Sequence, residues 1–228
     1  MSDMRNRDNV IVSAIDVNFS TAGQRLLSDI SVHIASGTIT MVLGHNGAGK
    51  SLLLSALHGL IKPQSGLIVG PPRQKQKMVF QKPILLRRSA REHFEFLCPG
   101  LGDHSIKTWF EKANLQPRMA TPARQLSGGE SQKLALIGAM AGQPDLLFLD
   151  EPTAHLDFES TGFIESQIAA ARKADTSIVM TSHNRAQAER LAEHVIFMEN
   201  GRVIEVATAK TFFSSPQTKA AKTYLKHN

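Results

Sequence analysis

Thr38-Ile39-Thr40-Met41-Val42-Leu43-Gly44-His45-Asn46-Gly47-Ala48-Gly49-Lys50-Ser51 decides the fold. Its first six residues, Thr38 to Leu43, are a short β-branched and apolar run, which predicts a buried strand. The next eight fit G-x-x-x-x-G-K-[ST]. Small residues in succession let backbone N–H groups turn toward one point and form an anion nest. Lys50 to His58 then reads as a helix closed by Gly59. The positive end of that helix aims at the same point. Strand, glycine loop and helix in this order are the context a phosphate cradle requires. The expected ligand is therefore a nucleotide. Gly44, His45, Asn46, Gly47, Ala48, Gly49 and Leu52 would wrap its phosphates. Lys50 would reach the β and γ phosphates, and Ser51 would ligate Mg²⁺.

Two further stretches sharpen this reading. Leu146-Leu147-Phe148-Leu149 is a continuous apolar run, as a central parallel strand needs, and it ends in Asp150-Glu151-Pro152. Acids at the C-terminal end of such a strand sit where open α/β sheets bind ligands. Asp150 is expected to hold Mg²⁺ through its water shell, and Glu151 to act as general base on the attacking water. By itself Asp-Glu-Pro would mean only that acids end a strand. Leu126-Ser127-Gly128-Gly129-Glu130 precedes a helix from about Ser131 to Ala141. Ser127 and Glu130 have the spacing of a capping box. The two glycines beside the serine also leave bare N–H donors at a helix start, a second anion site in a chain with one lysine-bearing loop. An economical explanation is that each site completes another subunit's nucleotide pocket.

The rest of the chain alternates strands and helices, which predicts a mostly parallel α/β sheet. Val10 to Val17 and Ser28 to Ile34 read as strands, 66–77 as loop or edge, and Met78 to Phe80 as a strand. From Lys82 to Gln125 short helical pieces broken by Pro83, Pro99, Pro117 and Pro122 suggest an inserted helical subdomain. A helix (about Ser160 to Lys173), a strand (Ser177 to Thr181) and a helix (about Arg185 to Ala192) follow. Asn200-Gly201 between Val195–Met198 and Arg202–Val206 is a two-residue hairpin signal. The tail from Thr208 reads as a short helix packed back on the domain.

A length of 228 residues allows one domain, with room for an inserted subdomain. The 42% hydrophobic and 20% charged fractions exclude disorder and collagen-like structure. A net charge of +6 suits phosphorylated ligands, nucleic acid or an anionic surface without choosing among them. One cysteine, Cys98, excludes an intrachain disulfide. Met1 to Asn9 is polar and lacks the apolar core of a signal peptide. No stretch approaches the ~18 continuous apolar residues of a membrane span. These features predict a cytoplasmic chain that works at a membrane only through a partner. His104, His194 and His227 read as surface residues, and Arg73 to Lys77 as a solvated face.

Gly44 to Ser51, Gln81, Leu126 to Glu130, Leu146 to Glu151 and His183, in this order, resemble the ATP-binding-cassette ATPases, from about Val10 to Val206. The resemblance implies an α/β P-loop NTPase with a mostly parallel core sheet, an antiparallel β subdomain and an inserted α-helical subdomain. It divides the chain into a catalytic core (1–81 and 142–228) and a helical subdomain (82–141). It implies ATP with Mg²⁺, and a head-to-tail dimer of two copies with ATP between the P-loop of one and the signature of the other. Ser127, Gly128 and Gly129 match the positions that contact the γ-phosphate in trans. His183 matches the switch histidine. Gln81 matches the glutamine that senses Mg²⁺ and water and links to the helical subdomain. Asp157 matches the D-loop aspartate, whereas His155 departs from the commoner serine. Phe19 stands where an aromatic stacks on adenine; core packing after the first strand is its plainer reading.

The resemblance also implies permease subunits in the membrane and, indirectly, a substrate-binding protein, with no nucleic acid. The short cassette, without an additional regulatory domain, favours a separate ATPase subunit on the inner face of the membrane. Gln81 to Ser89 and the segment from Ala186 to Pro216 are similar to tungstate and related oxyanion importers. The cargo expectation is therefore tungstate first, then molybdate or phosphate. The alternatives are a regulatory or cell-division cassette and an exporter ATPase, which neighbouring permease and binding-protein genes would separate from an importer.

Overall fold

The computed structural model describes residues 10–227; Met1 to Asn9, read above as polar and without a signal-peptide core, lies outside them. Nine strands and eight helices are found there, with short 3₁₀ turns between. The strands are β1 (Val10–Thr21), β2 (Gln24–Ala35), β3 (Ile39–Leu43), β4 (Ser65–Val69), β5 (Gln76–Val79), β6 (Leu146–Leu149), β7 (Ser177–Thr181), β8 (His194–Glu199) and β9 (Arg202–Thr208). The helices are α1 (Lys50–His58), α2 (Ala90–Leu97), α3 (Asp103–Lys112), α4 (Gly128–Ala141), α5 (Phe158–Lys173), α6 (Arg185–Leu191), α7 (Ala209–Ser214) and α8 (Lys219–His227).

The main sheet has the order β5-β6-β7-β3-β8-β9. The first five strands run parallel, and β9 returns antiparallel to β8. Every residue of β3, β6 and β7 is buried, which explains why these three read as unbroken apolar or β-branched runs. One apolar cluster covers one face with Leu147, Leu149, Met180, Phe197, Ile164 and Phe212. Another covers the opposite face with Phe148, Val179, Ile196, Leu53 and Leu57 of α1, and Ile30 and Val32 of β2. Each fully buried side chain of this size stabilises the fold by about 1.5–3 kcal/mol relative to an exposed one.

A second sheet, β2-β1-β4, is antiparallel and lies over α1 through β2. A third apolar cluster belongs to the helical segment: Phe94, Ile106, Phe110, Leu115, Leu134 and Ile137. The fold is thus the expected α/β arrangement of core sheet, antiparallel sheet and helical subdomain.

Local departures have local causes. Stretch 66–77, read as loop or edge, does hold an edge strand: β4 pairs Ile15 with Leu67 and Ser13 with Val69 at the edge of the antiparallel sheet. Leu67 and Val69 are each 57% exposed, so burial alternation gives β4 no clear signature. Helix α4 starts at Gly128 instead of Ser131, because Ser127 and Glu130 make the capping box reciprocally. β1 and β2 continue to a tight turn at Ala22-Gly23, beyond the Val and Ile residues that mark their centres. The tail forms two helices, α7 and α8, instead of one.

Candidate active site

Parallel strands carry the site residues to one edge of the sheet. Gly44 follows β3, Gln81 lies two residues beyond β5, Asp150 and Glu151 follow β6, and His183 lies two residues beyond β7. The β-branched and apolar strands therefore set the depth of each polar group, and the loops after them present it.

The glycine loop is held from below. The Ala48 carbonyl accepts from the Gly201 N–H at 3.0 Å, so the β8–β9 hairpin tip braces the loop. Gly44 has φ 151°, and a Cβ there would run into the Met198 carbonyl oxygen. No other residue fits that close approach. Lys50 is only 5% exposed, and its ammonium donates to the Gly44 and His45 carbonyls at 2.9 and 3.1 Å. Burial lowers its pKa, against the pull of Glu151 and Asp150 in the other direction. A cation desolvated in this way gains most from a multiply charged anion brought to it.

Ser51 donates to Asp150 Oδ1 at 2.9 Å, and Thr181 donates to the same oxygen at 2.8 Å. A hydroxyl and a carboxylate oxygen side by side are hard donors of the kind Mg²⁺ takes. Asp150 is buried, and its own N–H donates to Val79 O at 2.9 Å. Glu151 adopts φ 45°, a conformation that costs a non-glycine residue about 1–3 kcal/mol. Three contacts hold it there. Its N–H donates to Thr181 Oγ1 at 2.8 Å, Gln81 Nε2 donates to its Oε2 at 3.0 Å, and His183 Nε2 meets its Oε1. Glu151, Gln81 and His183 thus converge although they come from three different strand ends. Thr181 is the member that sequence reading passed over. It was one more β-branched residue in a buried strand, and nothing local reveals that its hydroxyl serves both acids.

An open cleft of about 350 Å³ lies over this constellation. Asn46, Gly47, Ala48, Gly49, Lys50, Ser51 and Leu52 line it together with Glu151, His183 and Leu26, the last not foreseen. None of residues 126–130 lines it. Ser127 instead caps α4, its carboxylate partner Glu130 fixed by Arg118 at 2.8 Å. Gly129 abuts the start of α5, where an added Cβ would stand 2.5 Å from Ser160 Oγ. Asp157 caps α5, accepting from the Ser160 N–H at 2.7 Å, and its carboxyl is held below the usual carboxylate range chiefly by that bond. The structure therefore groups Ser127, Gly128, Gly129 and Asp157 separately from the glycine loop. Phe19 is half-buried against the core, paired across the strands with Leu27, and is not among the cleft residues. His45 is also outside the cleft lining; its ring meets the edge of Tyr224 at 5.2 Å between centroids.

Comparison with known proteins gives concordant results. The family model described as ABC transporter matches residues 27–154. The chain is 31% identical over 245 residues to the phosphate import ATP-binding protein PstB of Pyrobaculum aerophilum, covering 94% of this chain and 97% of that one. It is 33% identical over 219 residues to the energy-coupling factor transporter ATP-binding protein EcfA2 of Ligilactobacillus salivarius, covering 84% of this chain and 75% of that one. Among solved structures, cbiO1 from Clostridium perfringens, described as part of the ABC transporter complex cbiONQ, superposes with a TM-score of 0.77 at 26% identity over 91% of this chain and 92% of that one.

Proposed function

The chain belongs to the ABC transporter family of ATP-binding subunits, and from that premise we propose that it hydrolyses ATP at a site shared between two copies, to drive a separate importer permease. The observation that carries the shared site is the separation just described. The cleft holds Lys50, Ser51, Glu151 and His183, while Ser127, Gly128 and Gly129 stand at another helix start outside it.

Lys50 turns from the Gly44 and His45 carbonyls to the β and γ phosphates, and the amides of Asn46 to Leu52 surround them. Ser51 and Asp150 would hold Mg²⁺ through their oxygens and Gln81 would sense it; the ion would supply charge neutralisation on the phosphates. Glu151 takes a proton from water as the water oxygen bonds to the γ-phosphorus. The bond from that phosphorus to the β–γ bridging oxygen breaks, and ADP leaves with the bridging oxygen. His183 donates to the γ-phosphate. Ser127 and the amides of Gly128 and Gly129 approach it from the partner copy, with Asp157 at the same junction. Phe19 would supply the aromatic face that stacks on adenine.

This reading makes a mixing prediction. Lys50→Ala and Ser127→Arg chains should each be nearly inactive alone. Together they form one composite site with both an intact P-loop and an intact signature, and turnover should partly return. Ser127→Arg chains retaining full activity on their own would contradict the role of the signature.

For transport, the reading has cargo move through separate permease subunits; no helix among the described residues is long and apolar enough to cross a membrane. The chain would sit on the inner face of the membrane through them, with a substrate-binding protein supplying cargo. The helical segment 82–141 hangs from Gln81, and its exposed Ile84 and Phe96 suit permease contact. The cargo class we favour is a tetrahedral oxyanion. Its support is the Gln81–Ser89 and Ala186–Pro216 segments, together with the phosphate import named for one relative. Tungstate heads the list, ahead of molybdate and phosphate. Uptake of labelled tungstate and phosphate should fall in cells lacking the gene, and a Glu151→Gln copy should not restore it. Unchanged uptake of these oxyanions, with no redundant importer present, would reject the cargo class and leave the ATPase reading standing.

A further inference from the structure

The last helix of the described chain reaches the glycine loop. Tyr224 of α8 is 3% exposed, and its ring packs against Phe197 of β8 at 5.1 Å and meets the His45 ring edge-on at 5.2 Å. Burial raises its phenol pKa, and the Gly44 main chain beside the hydroxyl pulls it the other way. Gly44 and His45 are also the two residues whose carbonyls hold Lys50. One tyrosine thus grips the segment from which the loop lysine must be released to meet a phosphate.

Helix α8 is itself anchored at both ends. At its start, the Gln217 and Thr218 N–H groups and the Thr218 hydroxyl all donate to the Glu205 carboxylate of β9, at 2.9, 2.9 and 2.8 Å. Glu205 is 7% exposed. A buried carboxylate receiving three such bonds makes a firm tether. At its end, Arg185 Nη1 donates to the Leu225 carbonyl at 2.6 Å. Arg185 opens α6, two residues after His183. The helix therefore connects β9, the glycine loop and the segment that carries His183.

We propose that α8 is a strap that presets the glycine loop for nucleotide, with Tyr224 as a positioning residue for ATP binding. The hydroxyl fixes the Gly44 end of the loop in its nucleotide-ready form, so the loop does not have to be ordered at the moment of binding. Tyr224 does not touch the reacting atoms. Its effect falls on affinity, and the chemical step, set by Glu151 and the phosphate contacts, is left unchanged.

The inference rests on the glycine loop being the ATP site, and the experiment separates the two. Tyr224→Phe keeps the ring against Phe197 and His45 and deletes only the hydroxyl. In the purified full chain, the KM for ATP should rise about three- to tenfold, the effect of losing one hydrogen bond, with kcat within about twofold of wild type. Tyr224 is the sole tyrosine and Trp109 the sole tryptophan. In a Trp109→Phe chain, tyrosine emission therefore reports Tyr224 alone, and it should change when Mg²⁺ and a non-hydrolysable ATP analogue saturate the site. An unchanged KM in folded Tyr224→Phe would overturn the proposal, as would tyrosine emission indifferent to bound nucleotide. If kcat and thermal stability fall together at constant KM, the residue serves packing alone, which also overturns it. A wild-type chain that binds no ATP would overturn the ATP-site reading as well.

Discussion

Lys50→Ala should reduce steady-state ATP turnover by about two orders of magnitude or more, the scale seen when a preorganised group facing transition-state charge is removed. The expectation follows from where the ammonium sits. It is nearly buried, close to Glu151 and Asp150, and donates to two main-chain carbonyls at 2.9 and 3.1 Å. Backbone amides of the loop carry partial charge and cannot replace a full positive charge on the γ-phosphate. The fold should survive, because the substitution removes a desolvated charge from a loop whose shape is set by Gly44 and by the Gly201–Ala48 hydrogen bond. Turnover of the purified variant, with circular dichroism as the control, checks this. Near-wild-type activity would remove the glycine loop from the mechanism.

Glu151→Gln should leave ATP binding intact and slow hydrolysis by about 10²- to 10⁴-fold, the usual contribution of a positioned general base. The amide matches the carboxylate in shape, so the contacts with Gln81 and His183 retain partners, but it cannot accept the proton of water. The backbone at position 151 keeps its φ of 45° through the N–H bond to Thr181. With hydrolysis stalled, ATP-bound dimers should accumulate and elute early in size-exclusion chromatography with Mg²⁺ and ATP. A variant that remains monomeric and turns over normally would contradict the assignment.

Much of this site is legible in the sequence because it is written in short, contiguous runs. The loop from Gly44 to Ser51, the strand that ends in Asp150-Glu151 and the Ser127–Glu130 capping box each carry their geometry within a few residues. The hairpin at Asn200-Gly201 is of the same kind, both residues having the positive φ that the turn demands. What escaped reading depends on contacts far apart in the chain. Thr181 serves the two acids from a strand about 30 residues away, and its hydroxyl looks no different from that of any strand threonine. Leu26 reaches the cleft from an antiparallel sheet whose position over α1 has no local signature. Tyr224 meets the glycine loop at His45 because β8, β9 and the Glu205 tether return the chain to the loop. For β4 the sequence allowed an edge but not its pairing with β1, because its apolar Leu67 and Val69 face outward.

The proposed shared site would also give a use to the helix start at Ser127. Ser127 to Gly129 form a capped, preorganised helix start that lines no part of the chain's own nucleotide cleft. Within one copy the capping box takes the Ser127 and Glu130 N–H groups. A second copy placed head to tail, as proposed, would present a γ-phosphate to the Gly128 and Gly129 amides.

The most direct test is a crystal structure of the Glu151→Gln chain grown with Mg²⁺ and ATP. The account predicts two copies enclosing two nucleotides, with each γ-phosphate held by Lys50 of one copy and by Ser127 and the Gly128 and Gly129 amides of the other. A γ-phosphate contacted by Lys50 and Ser127 of the same copy would contradict it.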